Sequence, residues 1–325
     1  MISSRDIELI LKKNLPYKIN GFSESSKITI KQLRSGPYTR AFKCDLDHKD
    51  VSLFVKFKQK NSKDNDVKNE YERLKELWDV KEYGTSNNLI VPEPLGYLED
   101  HKLLITKFVD GSLLSSKLSR FFFFSYFINS EKIYELIDLV IKWLADYEVR
   151  HTEEISTIKS KTYLKTYLES KIDDIIFMNS INKNLLKDKL NQWSLKFPNF
   201  QIYSINTDFN PNNIIIKNNG KICVIDWEKN KLDGLSFWMP STFLRYIRRY
   251  KCRIGTYRHE LEKISTYFKK KYLLSTQFDN DEKLFNFIFT LQNITYLSES
   301  SKHSSNINKL QKNCLEEIMS FIHDQ

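Results

Sequence analysis

Cysteine, glycine and proline are all in short supply here, and each shortage closes off a class of protein. The four cysteines, Cys44, Cys223, Cys252 and Cys314, lie far apart with no C-x-x-C pair. That excludes a dense disulfide framework and fits a reducing compartment. The six histidines form no H-E-x-x-H or other ligand-spaced cluster, so no structural zinc site is expected. With only 8 glycines and 7 prolines, and neither an internal repeat nor a low-complexity tail, the chain does not read as disordered. Long apolar runs are missing too: the most apolar stretch, Phe121 to Ile128, is far too short to span a bilayer. The opening residues, Met1-Ile2-Ser3-Ser4-Arg5-Asp6, lack a basic region leading into an apolar core. No secretory leader is therefore expected, and the cytoplasm is the expected compartment.

What is present is apolar surface and positive charge. At 325 residues, 41% of them apolar and 14% aromatic, the chain can bury one large core or two lobes of ordinary size. A formal net charge of +10 favours anionic partners: phosphorylated metabolites, anionic lipid or nucleic acid. It argues against a polycationic substrate. The richness in Lys and Asn also reflects compositional bias, so it carries little functional weight.

The chemistry concentrates in Ile205-Asn206-Thr207-Asp208-Phe209-Asn210-Pro211-Asn212-Asn213-Ile214-Ile215-Ile216, followed by Val224-Ile225-Asp226-Trp227-Glu228. Asp208 and Asn213 have the D-x-x-x-x-N spacing of a kinase catalytic loop, in which the Asp takes the acceptor hydroxyl proton and the Asn binds magnesium. Asn218-Asn219-Gly220-Lys221 provides turn chemistry between two short apolar strands, so a hairpin would carry Asn213 and Asp226 to one end. Magnesium takes oxygen ligands, usually one or two carboxylates, and fills its octahedron with waters and substrate phosphates.

This run resembles the aminoglycoside phosphotransferase/choline kinase family of protein-kinase-like small-molecule kinases, whose pattern is H-G-D-x-x-x-x-N followed by I-D-W/F-E. The resemblance implies that Asp208 is the catalytic base and that Asn213 and Asp226 are metal ligands. It also implies an α+β bilobal fold, with a small antiparallel-sheet lobe over residues 1–110 and a larger, mainly helical lobe over 111–325. Asn206-Thr207 stands where the family has His-Gly, and an Asn donor could brace the loop as that His does.

Upstream, the period of the sequence changes as such a fold requires. Ser3 or Ser4 can cap a short helix with Ile7, Ile10 and Leu11 on one face. Lys27 to Leu33, Thr39 to Leu46 and Val51 to Lys58 read as three strands of a meander. The turn between the first two, Ser35-Gly36-Pro37-Tyr38-Thr39, sits where the family covers the nucleotide phosphates. It has one glycine, not three. In the third strand, alternation puts Leu53, Val55 and Phe57 on one face and Lys56 and Lys58 on the other. By resemblance Lys56, with Lys58 as the alternative, would hold the phosphates of ATP. Its partner would be Glu70, on a helix over about Val67 to Val80 that follows the family's E-x-x-x-L-x-x-L; Glu72 is the rival on the same helix. Val91-Pro92-Glu93-Pro94-Leu95-Gly96 and the strand ending near Gly111 resemble the family's hinge. Backbone from Lys107 to Val109 would then meet an adenine edge, and Gly111 would supply the hinge's freedom.

Beyond residue 111 the period is helical. Ile133, Leu136, Ile137, Val140, Ile141, Leu144 and Tyr147 form one stripe. Two further amphipathic stretches fill Lys161 to Phe197. After Trp227-Glu228 the family's acidic D-L pair is missing, and Asp233 is the nearest carboxylate. Leu244 to Tyr272 carries ten Lys/Arg against two glutamates, interleaved with aromatics.

Three functions fit these features unequally. The leading one is an ATP- and Mg2+-dependent phosphotransferase acting on a hydroxyl of a small molecule. The form D-F-x-P-x-N-I with D-W-E is similar to proteins of sugar and surface-glycan pathways, which points to an acceptor of that class. A nucleotide-binding pseudokinase is the alternative. A nucleic-acid-binding role is disfavoured, because basic helices are usually solvated faces and no nucleic-acid module is recognisable. If Lys117, Arg120 and the Phe121 run share a face with the 244–272 segment, they would also bring the protein transiently to anionic lipid.

Overall fold

A five-stranded antiparallel sheet dominates the first part of the chain, in a computed structural model that describes residues 3–15, 22–23, 25–35, 39–47, 51–58, 66–79, 91–123, 131–151, 157–194, 202–228, 230–253, 258–276, 282–300 and 309–323. The strands are β1 (Ile28–Ser35), β2 (Thr39–Leu46), β3 (Ser52–Lys58), β4 (Pro94–Leu98) and β5 (Leu103–Lys107). Their order is β1-β2-β3-β5-β4, so the expected meander is present and β5 inserts beside β3. β-Branched and aromatic residues alternate on these strands, as a sheet covered on one face requires. The covered face carries Phe42, Cys44, Leu53, Val55, Leu103 and Ile105, packed with Ile7, Leu11 and Leu15 of α1 (Ser4–Asn14) and its exit. Ser3 caps α1 through a capping box with Asp6, settling the choice between Ser3 and Ser4.

The other face is covered as well. α2 (Asp66–Asp79) lies over it, with Tyr71 stacked on Tyr97 of β4 at 6.2 Å between ring centres. Val67, Leu74 and Leu77 are buried along α2. Lys56 and Lys58 therefore point into the protein, and both are buried. Lys56 sits between Ala41 of β2 and Leu104 of β5 in the sheet register. The small Ala41 side chain leaves the long Lys56 stem room to lie along that face.

The chain divides into two compact units, Met1–Lys117 with Asn212–Asn230, and Leu118–Pro211 with Lys231–Gln325. The first unit thus holds the sheet and a second, three-stranded one: β6 (Ser112–Leu113), β8 (Ile214–Ile216) and β9 (Ile222–Val224), in the order β6-β8-β9. Gly111 leads into β6, where a Cβ would lie 2.3 Å from the Ile216 carbonyl oxygen and 2.6 Å from Ile215 Cγ2. Close approach of backbones, more than hinge freedom, accounts for glycine at this position.

The second unit is mainly helical. α3 (Leu114–Phe123) leads into it with Leu114, Leu118 and Phe121 buried. The long helix α4 (Glu131–His151) buries Ile133, Ile137, Val140, Ile141, Leu144 and Tyr147, the stripe read from the sequence, with Leu136 half-buried at its margin. α5 (Thr157–Asp173) and α6 (Ser180–Ser194) occupy the two amphipathic stretches. β7 (Ile202–Asn206) pairs with β10 (Asn230–Leu235). α7 (Trp238–Arg253), α8 (Arg258–Ser275), α9 (Glu282–Ser300) and α10 (Lys309–His323) complete the unit.

The basic segment after residue 244 belongs to α7 and α8, and its described aromatics are engaged in packing. Phe268 stacks on Phe243 and Tyr272, and Tyr272 meets Phe237 and Phe285. Tyr267 donates to Asp138 of α4 at 2.7 Å. Phe268 and Tyr267 of that segment are thus engaged in packing, while Tyr257 and the Tyr250 side chain lie outside the described residues. Among the described residues no helix is long and apolar enough to cross a membrane. The run Phe124 to Ile128 lies outside the described residues.

Candidate functional site

In the first unit, the chemistry gathers around one ammonium group. Lys56 Nζ donates to Glu70 Oε2 at 2.8 Å and to Asp226 Oδ1 at 2.6 Å. Glu228 Oε2 lies 2.8 Å from the same nitrogen. Three elements converge here: β3 supplies Lys56, α2 supplies Glu70, and the segment leaving β9 supplies both acids. Lys56 is the lysine that meets Glu70, so the alternatives on the same strand and helix resolve to that pair; Glu72 is exposed. Glu70 has a second anchor, accepting the Trp227 backbone N–H at 3.2 Å. Trp227 is fully buried and its indole N–H donates to the Val224 carbonyl at 3.0 Å, fixing the segment between the two acids.

Burial alone would depress the Lys56 ammonium, but Glu70, Asp226 and Glu228 override it and hold the group charged, well above the ordinary lysine range. Burial pushes Glu70 up to about 7, against the pull of Lys56. The two shifts differ in cause: the carboxylates raise Lys56, whereas burial first, and the neighbouring Asp226 and Glu228 after it, raise Glu70.

The expected metal ligands share this end of the hairpin. Ile225 N–H donates to the Asn213 carbonyl at 2.9 Å, which puts Asn213 beside the start of the acidic segment. Gly220, at φ +77°, makes the turn that brings the strands back. Asp226 has φ +62°, a left-handed conformation few non-glycine residues adopt. Such outliers persist where surrounding contacts enforce them, and they concentrate at functional positions. The donor set suits a divalent cation: carboxylate oxygens of Glu70, Asp226 and Glu228 lie within 4.8 Å of one another, all hard ligands. Asn213, whose backbone carbonyl is bonded to the Ile225 N–H, carries an amide oxygen of the same hard type.

In the second unit, the loop after β7 is built around Asp208. Asn206, fully buried, accepts the Asp208 backbone N–H on its Oδ1 at 2.9 Å. In this bond Asn206 holds the start of the loop as an acceptor, not as the donor expected in place of a histidine. Asn210 Nδ2 donates to the Asp208 carbonyl at 2.7 Å and to its carboxylate Oδ1 at 3.1 Å, fixing the side chain. Phe209 is buried and stacks on Trp143 of α4 at 5.5 Å, which pins the loop to the helical core. Asp208 as a whole is partly buried.

Other predicted positions fare differently. Gly36 lies outside the described residues. The Lys107 N–H donates to the Glu93 carbonyl and the Phe108 N–H to that of Ser52, so those two donors are already used within the sheet. Val109, just past β5, makes no backbone hydrogen bond among the described residues and retains its N–H and C=O. The Asp233 side chain lies outside the described ones. Sequence reasoning assigned no role to Glu228 or Asn210. Glu228 stood in the quoted I-D-W-E, and Asn210 in the catalytic loop, but neither strand alternation nor helix period says where a residue in a turn will point.

Comparison with known proteins adds to this geometry. No family model and no curated protein sequence matches the chain. Solved structures do. A Ralstonia eutropha JMP134 protein, provisionally assigned as an aminoglycoside phosphotransferase, is similar at TM-score 0.61 and 13% identity, over 99% of both chains. The aminoglycoside phosphotransferase APH(4)-Ia is similar at TM-score 0.56 and 15% identity, again over 99% of both. A thermostable variant of APH(4)-Ia, similar at TM-score 0.53, forms a ternary complex with AMP-PNP and hygromycin B. The ethanolamine kinase of Plasmodium vivax is similar at TM-score 0.54 and 13% identity, over 98% of this chain and 89% of that one. At such low identity the likeness establishes the fold: an α+β kinase-like architecture.

Proposed function

Starting from a chain with the fold of the small-molecule kinases, we propose that it is a phosphotransferase, moving the γ-phosphoryl group of ATP to a hydroxyl of a small molecule. The observation that carries this reading is the buried Lys56–Glu70 pair with Asp226 against it, since fold alone does not assign chemistry. A kinase needs such a pair to present an ammonium to the nucleotide phosphates. The bound AMP-PNP of the APH(4)-Ia variant supports a nucleotide in this fold.

In this reading residues 1–110 serve as the nucleotide-binding lobe and 111–325 as the catalytic and acceptor lobe. Lys56 holds the α/β-phosphates, the turn at Gly36 covers them, and the Val109 backbone meets the adenine edge. Asp226 and Asn213, with Glu70 and Glu228 nearby, are the groups that would hold magnesium, which when bound neutralises phosphate charge. Asp208 orients the acceptor hydroxyl and receives its proton as the oxygen–phosphorus bond forms and the bond to the β-phosphate oxygen breaks, releasing ADP. Positioning and charge neutralisation supply most of the rate. The acceptor we propose is a sugar or surface-glycan precursor, met in the cytoplasm; the chain's positive charge disfavours an aminoglycoside.

Calorimetry with Mg·ATP, followed by ADP-release assays on a panel of sugars, amino alcohols and nucleosides, tests the proposal. A raised melting temperature with nucleotide is expected by mass action on the native state, together with turnover on at least one acceptor. Absence of nucleotide binding at millimolar Mg·ATP overturns it. Binding without transfer to any acceptor turns the reading toward a pseudokinase.

A further inference from the structure

Lys56 is crowded beyond what its proposed task allows. An ammonium group has three N–H donors. Glu70 and Asp226 accept two of them, and Glu228 Oε2 occupies a third contact at 2.8 Å. A phosphate oxygen approaching Nζ must therefore compete with a carboxylate already there. It must also enter a cluster in which three acids face one cation.

The three acids are not held alike. The Glu70 side chain is 4% exposed, and Glu70 also accepts the Trp227 N–H. Asp226 is fixed by its left-handed backbone and its hydrogen bond to Lys56. Glu228 ends the segment with a side chain as exposed as that of Asp226, 23% each, but without the left-handed backbone that fixes Asp226, and Lys56 is its charge partner among the described residues. Of the three it gives way most easily.

We propose that Glu228 is a positioning residue that couples nucleotide binding to a divalent cation. With no cation it neutralises Lys56 and repels phosphate. A cation drawn to the carboxylates relieves that repulsion and releases Lys56 to the phosphates. The inference rests on the phosphotransferase reading, and it adds a residue whose effect appears in binding, before any transfer.

The test measures ATP affinity by calorimetry at pH 8, with magnesium and with EDTA, for the intact chain and for Glu228→Gln. Adenosine, which has no phosphate, serves as the reference ligand. The natural protein should bind ATP at least about tenfold more weakly in EDTA than in magnesium, while adenosine binds equally in both. Glu228→Gln should raise affinity for metal-free ATP and shrink the ratio to about threefold or less, leaving adenosine unchanged. Equal ATP affinity in the two buffers for the natural protein overturns the inference without any variant. So does an unchanged ratio in Glu228→Gln. Failure of the natural protein to bind any nucleotide overturns the phosphotransferase reading as well, so the two failures are distinguishable.

Discussion

At the scale of single residues, Lys56 has the largest predicted effect. Replacing one partner of a buried ion pair leaves the others uncompensated, which costs about 3–5 kcal/mol. Lys56→Met should therefore lower unfolding stability by that order in urea, and it should abolish nucleotide binding. Asp208 and Asp226 should separate cleanly. Asp208 makes its described contacts within its own loop, so Asp208→Ala should stop transfer while sparing ATP affinity. Asp226→Ala removes a partner of Lys56 and a proposed metal ligand, so it should weaken Mg·ATP binding itself. Equal loss of ATP affinity in both variants would contradict these roles. The sequence singles these residues out without coordinates, Asp208 and Asn213 through the D-x-x-x-x-N spacing and Asp226 through the resemblance of the I-D-W-E run. It does not single out Glu228, for a physical reason: the left-handed backbone at Asp226 takes the chain out of strand geometry, and alternation no longer says which way the next side chains face.

At the scale of elements, two glycines of the same small sheet predict opposite tolerances. Gly220 needs a positive φ, but a Cβ there meets nothing within 4 Å. Gly220→Ala should cost about 1–2 kcal/mol, the strain of a left-handed L-residue. Gly111→Ala would drive a methyl group into the Ile216 backbone, which cannot step aside without giving up the β6–β8 pairing. It should cost clearly more than Gly220→Ala in the same denaturation assay, and a smaller loss would sink this account. Sequence periodicity found β1, β2 and β3 to within about two residues, since each is bounded by turn residues and covered on one face, whereas β5 ends at Lys107, short of the expected Gly111. It did not find that Lys56 and Lys58 are buried. A strand's alternation distinguishes its two faces, but only the helix lying over the second face decides whether that face is wet.

At the scale of the molecule, the free thiols Cys44 and Cys223 report on the first unit. Both are buried, and loss of hydration pushes each up to about 12. Thiolate is the reactive form, so it is scarce at pH 8 while the protein is folded. The native chain should resist iodoacetamide at these two positions and become labelled there once denaturant opens the unit. Mass-spectrometric mapping checks this. Labelling of either cysteine at the native rate of a free thiol would contradict the packing described.

The hydrogen bond from Trp227 to Glu70 joins residues far apart in the chain, and it bears on how the protein is made. On a ribosome, the sheet with Lys56 and Glu70 emerges first. The acids that complete their cluster follow only after Leu118–Pro211 has been synthesised, a delay on the order of 5–20 s at ordinary translation rates. During that interval the nascent chain carries an unfinished ion cluster in an otherwise apolar sheet. Closing so long a loop is slow and entropically costly. The first unit is therefore expected to mature late, and nascent chains halted before residue 212 should remain protease-sensitive around α2.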